Sequence, residues 1–193
     1  MLNRLFTAVC CILSLSPHPP FCDAIIFPQF YLLICRMKFQ FWSVGKMHEP
    51  YVKPGVDIFT QRISNYYPVE WNIIATPKNA GLLSEADLKK KEAEILLHEL
   101  PKDDYLVALD ERGKALSSEQ LAGFIQTRAN ESTRQLVFLI GGAYGLHDTV
   151  LKRANYKWSL SLLTFPHQLV RLILTEQVYR ACTILRNEKY HHQ

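Results

Sequence analysis

The chain has 193 residues, of which 48% are hydrophobic and 21% are charged, and its formal net charge is +4. This length fits one domain or at most two and provides enough apolar residues for a substantial core, so the composition excludes a disordered chain. The mild positive charge permits nucleic-acid binding without requiring it, because a basic binding surface depends on clustering rather than on abundance.

The first 36 residues differ in composition from the rest of the chain. Four of the five cysteines precede Met37: Cys10, Cys11, Cys22 and Cys35. Two apolar runs, residues 5–15 and 24–35, are each shorter than the roughly 20 residues that span a bilayer. A signal peptide, a membrane-surface anchor and an extension upstream of a start at Met37 all fit this segment. We favour the extension, because residues 37–46 resemble the first strand of a cytosolic α/β domain.

From residue 37 to residue 193, strand and helix patterns alternate, and this order predicts one α/β domain with a parallel sheet and helices on both faces. Strands are predicted at residues 38–44, 69–75, 105–109, 136–140 and 158–162. Helices are predicted at residues 52–66, 84–100, 146–154 and 167–185, and from Ser117 or Ser118 to Ala129. Ser84 and Asp87 form a capping-box pattern, and the lysines at 89–91 are interpreted as a solvated helix face.

The ends of three predicted strands contain residues that suit a ligand. They are residues 109–110, residues 140–142 with their two glycines, and residues 160–165. Because open α/β sheets bind ligands at the carboxyl ends of their strands, we expect one pocket of backbone groups and apolar side chains. Such a pocket suits an adenine ring and a thioether better than a polyphosphate. Taken alone, the glycines are explained at least as well by an ordinary turn, since their spacing differs from the dinucleotide-binding fingerprint.

The sequence lacks the motifs of several other kinds of enzyme chemistry. The chain contains neither a phosphate-binding G-x-x-x-x-G-K-[ST] motif nor a nucleophile motif G-x-S-x-G. Residues 110–113 are interpreted as a polar turn, and Cys182 as a small core residue. The cysteines before Met37 lack a C-x-x-C pair and a histidine cluster, so no metal site is predicted.

The last predicted helix and the residues around it are basic and aromatic. From Ala154 onward there are five Lys or Arg residues against two acidic ones, together with three histidines. Arginine offers forked donors to phosphates, and Tyr or His can stack on bases, so this region is a candidate RNA surface. A surface helix with ordinary charges explains the same composition.

Four segments taken together, LDERGK, FLIGGAYGL, WSLSLLTFPHQLVRLILTEQVYRA and the terminal YHH, resemble the ribosomal large-subunit pseudouridine N3-methyltransferase family (RlmH type) of the SPOUT superfamily. The resemblance covers residues 37–193 without a large gap and leaves out the first 36 residues. It implies a C-terminal deep trefoil knot in the α/β domain, a homodimer, and a cytoplasmic protein that needs neither a membrane nor a metal.

The resemblance also implies a cofactor, S-adenosylmethionine, and the residues that contact it. These are Leu109, Gly141, Leu160, Ser161, Leu162, Leu163, Thr164 and Phe165. The residues coincide with the three strand ends that the sequence pattern brings together. A branched side chain at Gly141 is expected to block the cofactor and to leave the fold intact.

The implied reaction is methylation of N3 of a pseudouridine in 23S rRNA of the assembled ribosome. Three residues are candidates for accepting the N3 proton: Tyr190, His191 and His167. The expected substrate-binding residues are Arg171, Arg180, Tyr190 and His191. The alternative is a non-catalytic RNA- or ribosome-binding protein on the same knotted scaffold. Members of the family commonly end in Tyr-His-Arg, whereas this chain has His192, whose imidazole would make a phosphate contact weaker and pH-dependent.

Overall fold

A computed structural model describes residues 37–190, so the predicted extension at residues 1–36 and the last three residues lie outside the described part. Five strands form a single sheet: β1 (Lys38–Val44), β2 (Val69–Ile74), β3 (Tyr105–Ala115), β4 (Gln135–Ile140) and β5 (Tyr156–Ser159). Their order in the sheet is β2-β1-β4-β3-β5, and every neighbouring pair is parallel. The predicted parallel α/β architecture is therefore confirmed, with β4 at the centre.

Five helices cover the two faces of the sheet: α1 (Lys53–Ile63), α2 (Glu85–Glu99), α3 (Ser118–Asn130), α4 (Asp148–Arg153) and α5 (His167–Leu185). A short 3-10 turn, Ala80–Leu82, precedes α2. On one face, α1, α3 and α5 pack on Phe39, Phe41 and Phe138. On the other face, α2 and α4 pack on Val137 and Leu139. Alternate residues of β4 thus enter opposite cores, because successive strand side chains point to opposite faces.

Local capping explains where α2 and α3 begin. The Ser84 side chain accepts a hydrogen bond from the backbone N–H of Asp87, as its pattern predicted. Ser117 and Gln120 form a reciprocal capping box at the start of α3. The helices predicted at 52–66 and 146–154 are both shorter than expected, and β5 begins and ends earlier than expected.

The polar turn predicted at residues 110–113 is wrong, because β3 continues through these residues to Ala115. The pairing of β3 with β5 shifts register between Leu109 and Lys114, as at a β-bulge. A Cβ atom on Gly113 would lie 2.7 Å from the carbonyl oxygen of Lys157, so glycine permits the close approach of the two strands. Polar residues are tolerated here because the irregular pairing leaves Glu111 and Arg112 exposed.

Cys182 is a residue of α5 and is buried in the core between this helix and the sheet, as predicted. Among residues 37–190, no helix combines the length and the apolar character that crossing a bilayer requires.

The core beneath α5 gives the first testable prediction. Leu174 is fully buried between α5 and the sheet, whereas Leu82 is 89% exposed. Leu174→Ala should lower the free energy of unfolding by about 2–5 kcal/mol, because it removes buried methyl groups and leaves a cavity. The matched change Leu82→Ala should alter it by less than about 0.5 kcal/mol. Urea unfolding measures both, and equal effects of the two changes would contradict this assignment of the core.

Candidate active site

A cavity of about 600 Å³ opens at the carboxyl ends of β4 and β5 and at the irregular part of β3 around residues 109–112, next to the start of α5. Its walls come from residues 109–112, 140–146, 158–161 and 163–167, with Lys89 and Val170 completing the lining. The three predicted strand ends therefore meet in one cavity. This part of the sequence prediction is confirmed, since β3 lies between β4 and β5 in the sheet.

The turn after β4 depends on the absence of side chains at its glycines. A Cβ atom on Gly141 would lie 2.8 Å from the carbonyl carbon of Gly145, which is closer than real Cβ contacts. The N–H of Gly145 donates to the carbonyl of Gly142 over 3.0 Å, and Gly145 has a positive φ of 80°. A side chain at Gly141 would press on the turn's own backbone, so the expected effect on a ligand would come together with a loss of stability.

The segment after β5 contributes most of its predicted residues to the cavity. Those that line it are Leu160, Ser161, Leu163, Thr164 and Phe165. The hydroxyl of Ser161 accepts from the N–H of Leu163, and its carbonyl accepts from the hydroxyl of Ser159, each over 2.9 Å. Leu162 is 97% exposed and does not line the cavity, so its side chain departs from the predicted arrangement.

Polar groups at the cavity include one satisfied carboxylate and one unsatisfied donor. Arg112 donates to Asp110 from Nε over 3.0 Å and from Nη2 over 3.2 Å, and these bonds lower the pKa of the Asp110 carboxyl. The Nε1–H of Trp158 is buried without a partner in the described part of the chain. Lys89 is half-buried and lines the cavity, whereas Lys90 and Lys91 are exposed, as expected of a solvated face.

Of the candidate proton acceptors within the described residues, His167 lines the cavity. It follows Pro166 and begins α5, which fixes the position of its backbone at the cavity rim. Burial lowers the pKa of His167 below its ordinary value of 6.5, and the nearby charge of Arg171 lowers it further. The imidazole is therefore uncharged at neutral pH and has a nitrogen lone pair available to accept a proton.

Arg171, predicted to bind substrate, lies inside the protein with no exposed surface. Its Nε donates to the hydroxyl of Ser43 over 3.0 Å, and its Nη1 lies 3.2 Å from Nδ1 of His48. A phosphate contact by Arg171 is contradicted by this burial, because the guanidinium faces the end of β1 rather than solvent. The composition of the last segment placed Arg171 among the cations of a candidate RNA surface, but packing places it beneath the β1–α1 loop.

Arg180 and Tyr190 form a separate cluster near the end of α5. Arg180 Nη2 lies 2.6 Å from Oε1 of Glu176, which also accepts from the Tyr190 hydroxyl over 3.1 Å. The Arg180 guanidinium lies 4.8 Å from the centre of the Tyr190 ring. Arg180 is ten residues beyond Val170, the last residue of α5 at the cavity, or roughly 15 Å at ~1.5 Å per residue, so Arg180 lies away from the cavity. His191 lies outside the described residues.

Among residues 37–190, no group of three or more His, Cys, Asp or Glu side chains is arranged to hold a metal ion. The chemical content of the cavity therefore consists of backbone groups, apolar walls, a few charged side chains and one imidazole.

The match to a family model covers residues 37–191, and this model is described as a predicted SPOUT methyltransferase. The chain belongs to this family. It is 46% identical over 156 residues to ribosomal RNA large subunit methyltransferase H of Cytophaga hutchinsonii, covering 81% of this chain and 100% of that protein. Proteins of the same name from Parabacteroides distasonis and Trichlorobacter lovleyi are 43% and 44% identical, again over 81% of this chain and 100% of theirs.

The glycine turn gives the second testable prediction. Gly141→Ala should lower the free energy of unfolding by about 1–3 kcal/mol, because the added methyl group meets the Gly145 backbone. Gly123→Ala is the matched control, since Gly123 is an exposed residue inside α3 with open space around it. That change should stabilise the protein by about 0.5–1 kcal/mol through a higher helix propensity. An unchanged urea midpoint for Gly141→Ala would contradict the tight turn.

Proposed function

We propose that this protein transfers a methyl group from S-adenosylmethionine to N3 of a pseudouridine in 23S rRNA. The observation that carries the proposal is the cavity where the glycine turn after β4 meets the segment after β5. This cavity lies within the residues that match the methyltransferase family. The printed names of the relatives support ribosomal RNA of the large subunit as the substrate.

The lining residues fit a bound S-adenosylmethionine. A volume of about 600 Å³ falls in the range of small-molecule sites, which is roughly 300–1,000 Å³. Leu109, Leu160 and Phe165 would bind the adenine ring and the carbon atoms next to sulfur. The glycine turn brings a backbone without side chains to the cavity wall, where its amide groups can hydrogen-bond to a ligand. We further propose that the segment 160–165 belongs to a C-terminal trefoil knot.

When bound, S-adenosylmethionine supplies an electrophilic methyl group on its sulfonium. The cavity would have to present N3 of the pseudouridine to that methyl group, so orientation by the lining residues would provide much of the acceleration. His167 accepts the proton as the N3–H bond breaks and the new N3–methyl bond forms, while the methyl donor would leave as a neutral thioether. The proton remains on the imidazole until it passes to solvent. Tyr190 is less suited to this step, because burial and then Glu176 raise the pKa of its hydroxyl.

We also propose that the protein acts as a homodimer. Arg180 lies roughly 15 Å along α5 beyond Val170 at the cavity, so a second copy would have to bring the cluster of Glu176, Arg180 and Tyr190 to a bound base. Leu163 and Tyr144 are 71% and 49% exposed at the cavity, which supports a surface that another molecule covers. The proposed substrate is the assembled ribosome in the cytoplasm, and the proposed catalytic domain is residues 37–193.

Methyl transfer tests this function directly. Purified protein is incubated with S-adenosylmethionine carrying a labelled methyl group and with 70S ribosomes, 50S subunits or free 23S rRNA. We expect label in 23S rRNA, with the greatest incorporation in assembled ribosomes, and mass spectrometry should place it on a pseudouridine. Ribosome binding without label in any of the three substrates would instead favour a non-catalytic ribosome-binding protein.

The proton acceptor gives a further prediction. His167→Gln should lower kcat by about 10²- to 10⁴-fold, the usual contribution of a general base, with little change in the KM for S-adenosylmethionine. In the unmodified protein, the rate should fall as pH drops through the pKa of His167, which lies below 6.5, and the variant should lack this acid limb. His98→Gln, an exposed change on α2, is the matched control. An identical pH profile for both variants would exclude His167 as the base.

A further inference from the structure

Glu92 on α2 is only 5% exposed. Among residues 37–190 its carboxylate forms no hydrogen bond or ion pair, and its oxygens are not fully enclosed. Burial raises the pKa of this carboxyl above its ordinary value. A buried, uncompensated acid costs free energy, and such groups concentrate where a ligand supplies the missing partner.

Glu92 contacts the glycine turn that forms the cavity wall. A Cβ atom on Gly142 would lie 2.8 Å from Oε2 and 2.9 Å from Oε1 of Glu92. Gly142 itself lines the cavity. The carboxylate therefore occupies the space that a side chain at position 142 would fill, against the glycine turn that forms the cavity wall.

Lys89 supplies the opposite charge on the same face of α2. Residues three apart in a helix are neighbours on its surface, and Lys89 lines the cavity one turn before Glu92. These two side chains form no ion pair with each other in the described part of the chain. A positive group and a negative group at this spacing match a ligand that carries both charges close together.

The other carboxylates at the cavity are less suited to a positively charged ligand. Asp110 already accepts three hydrogen bonds from Arg112, one from its backbone and two from its side chain. Glu111 is exposed to solvent, where water screens its charge. Glu92, which packs against the cavity wall at Gly142, is largely buried and accepts no hydrogen bond among the described residues.

We infer that α2 binds the amino-acid end of the cofactor, with Glu92 accepting hydrogen bonds from its α-ammonium group and Lys89 pairing with its carboxylate. This inference rests on the proposed S-adenosylmethionine cavity and adds two residues to it. A charged hydrogen bond at a buried site carries more free energy than a neutral one, so Glu92 contributes more to affinity than the partly exposed Lys89.

Two ligands that differ only at the amino-acid end test the assignment. Calorimetry compares S-adenosylhomocysteine with 5′-methylthioadenosine, which keeps the adenosine and the thioether but has neither the ammonium nor the carboxylate. Glu92→Gln should weaken binding of S-adenosylhomocysteine by about 10- to 100-fold and leave methylthioadenosine unchanged. Lys89→Gln should act in the same direction with a smaller loss. Glu94→Gln and Lys90→Gln, both exposed on α2, are the matched controls and should change neither affinity.

Each other outcome of the calorimetry has a distinct meaning. If Glu92→Gln weakened the binding of both ligands equally, Glu92 would only stabilise the turn. If its affinity for S-adenosylhomocysteine were unchanged, a contact between Glu92 and the ammonium group would be excluded. Both results would overturn the inference while the proposed function stands. If the unmodified protein bound neither ligand, the cofactor cavity itself would be wrong.

The unmodified protein provides a second measurement that does not depend on the folding of a variant. An ammonium group beside Glu92 favours the ionised carboxylate, so binding of S-adenosylhomocysteine should release protons as the raised pKa of Glu92 falls. Calorimetry in buffers with different ionisation enthalpies, between about pH 4.5 and 7, measures this release. Methylthioadenosine should release fewer protons, and equal release by both ligands would contradict the role of Glu92.

Discussion

The close contact between Gly141 and Gly145 is the constraint on which the site depends. Strand β4 is the centre of the sheet and is buried along its length, so the position where it ends is fixed by pairing on both sides. Immediately beyond Ile140 the chain folds back on itself with backbone against backbone. This turn leaves room for α2 on one side and for the segment after β5 on the other, and the cavity forms where they meet.

Arg171 ties the start of α5 to the end of β1. Its guanidinium group is buried, and one nitrogen of that group, Nη2, has no hydrogen-bond partner in the described part of the chain. Burying such a charge costs free energy, although the bond to Ser43 and the contact with His48 offset part of the cost. Its charge also lowers the pKa of both His48 and His167, in each case after burial as the larger cause. The same interior residue therefore joins α5 to the end of β1 and adds to the effect of burial in lowering the pKa of the imidazole at the cavity rim.

The sequence alone predicts those features that depend on local patterns. Strand β1 and helix α5 have their predicted bounds, and Ser84 caps α2, because hydrophobic period and capping chemistry are local properties. The convergence of three strand ends follows from parallel topology. By contrast, the proximity of Glu92 to Gly142 depends on how α2 packs across the sheet, and no spacing in the sequence encodes that distance. The burial of Arg171 and the extension of β3 past Asp110 also result from tertiary contacts.

The charge available to an RNA surface is smaller than the composition of the last segment indicates. Arg171 is buried, and two nitrogens of Arg180, Nε and Nη2, already donate to Glu176. A phosphate would have to compete with this carboxylate for the same donors, or bind the Arg180 edge that remains, next to the Tyr190 ring. Because Glu176 also accepts from Tyr190, displacing it would release the tyrosine as well. Arrival of an anionic partner would therefore rearrange Arg180 and Tyr190 together rather than add a contact to a preformed basic face.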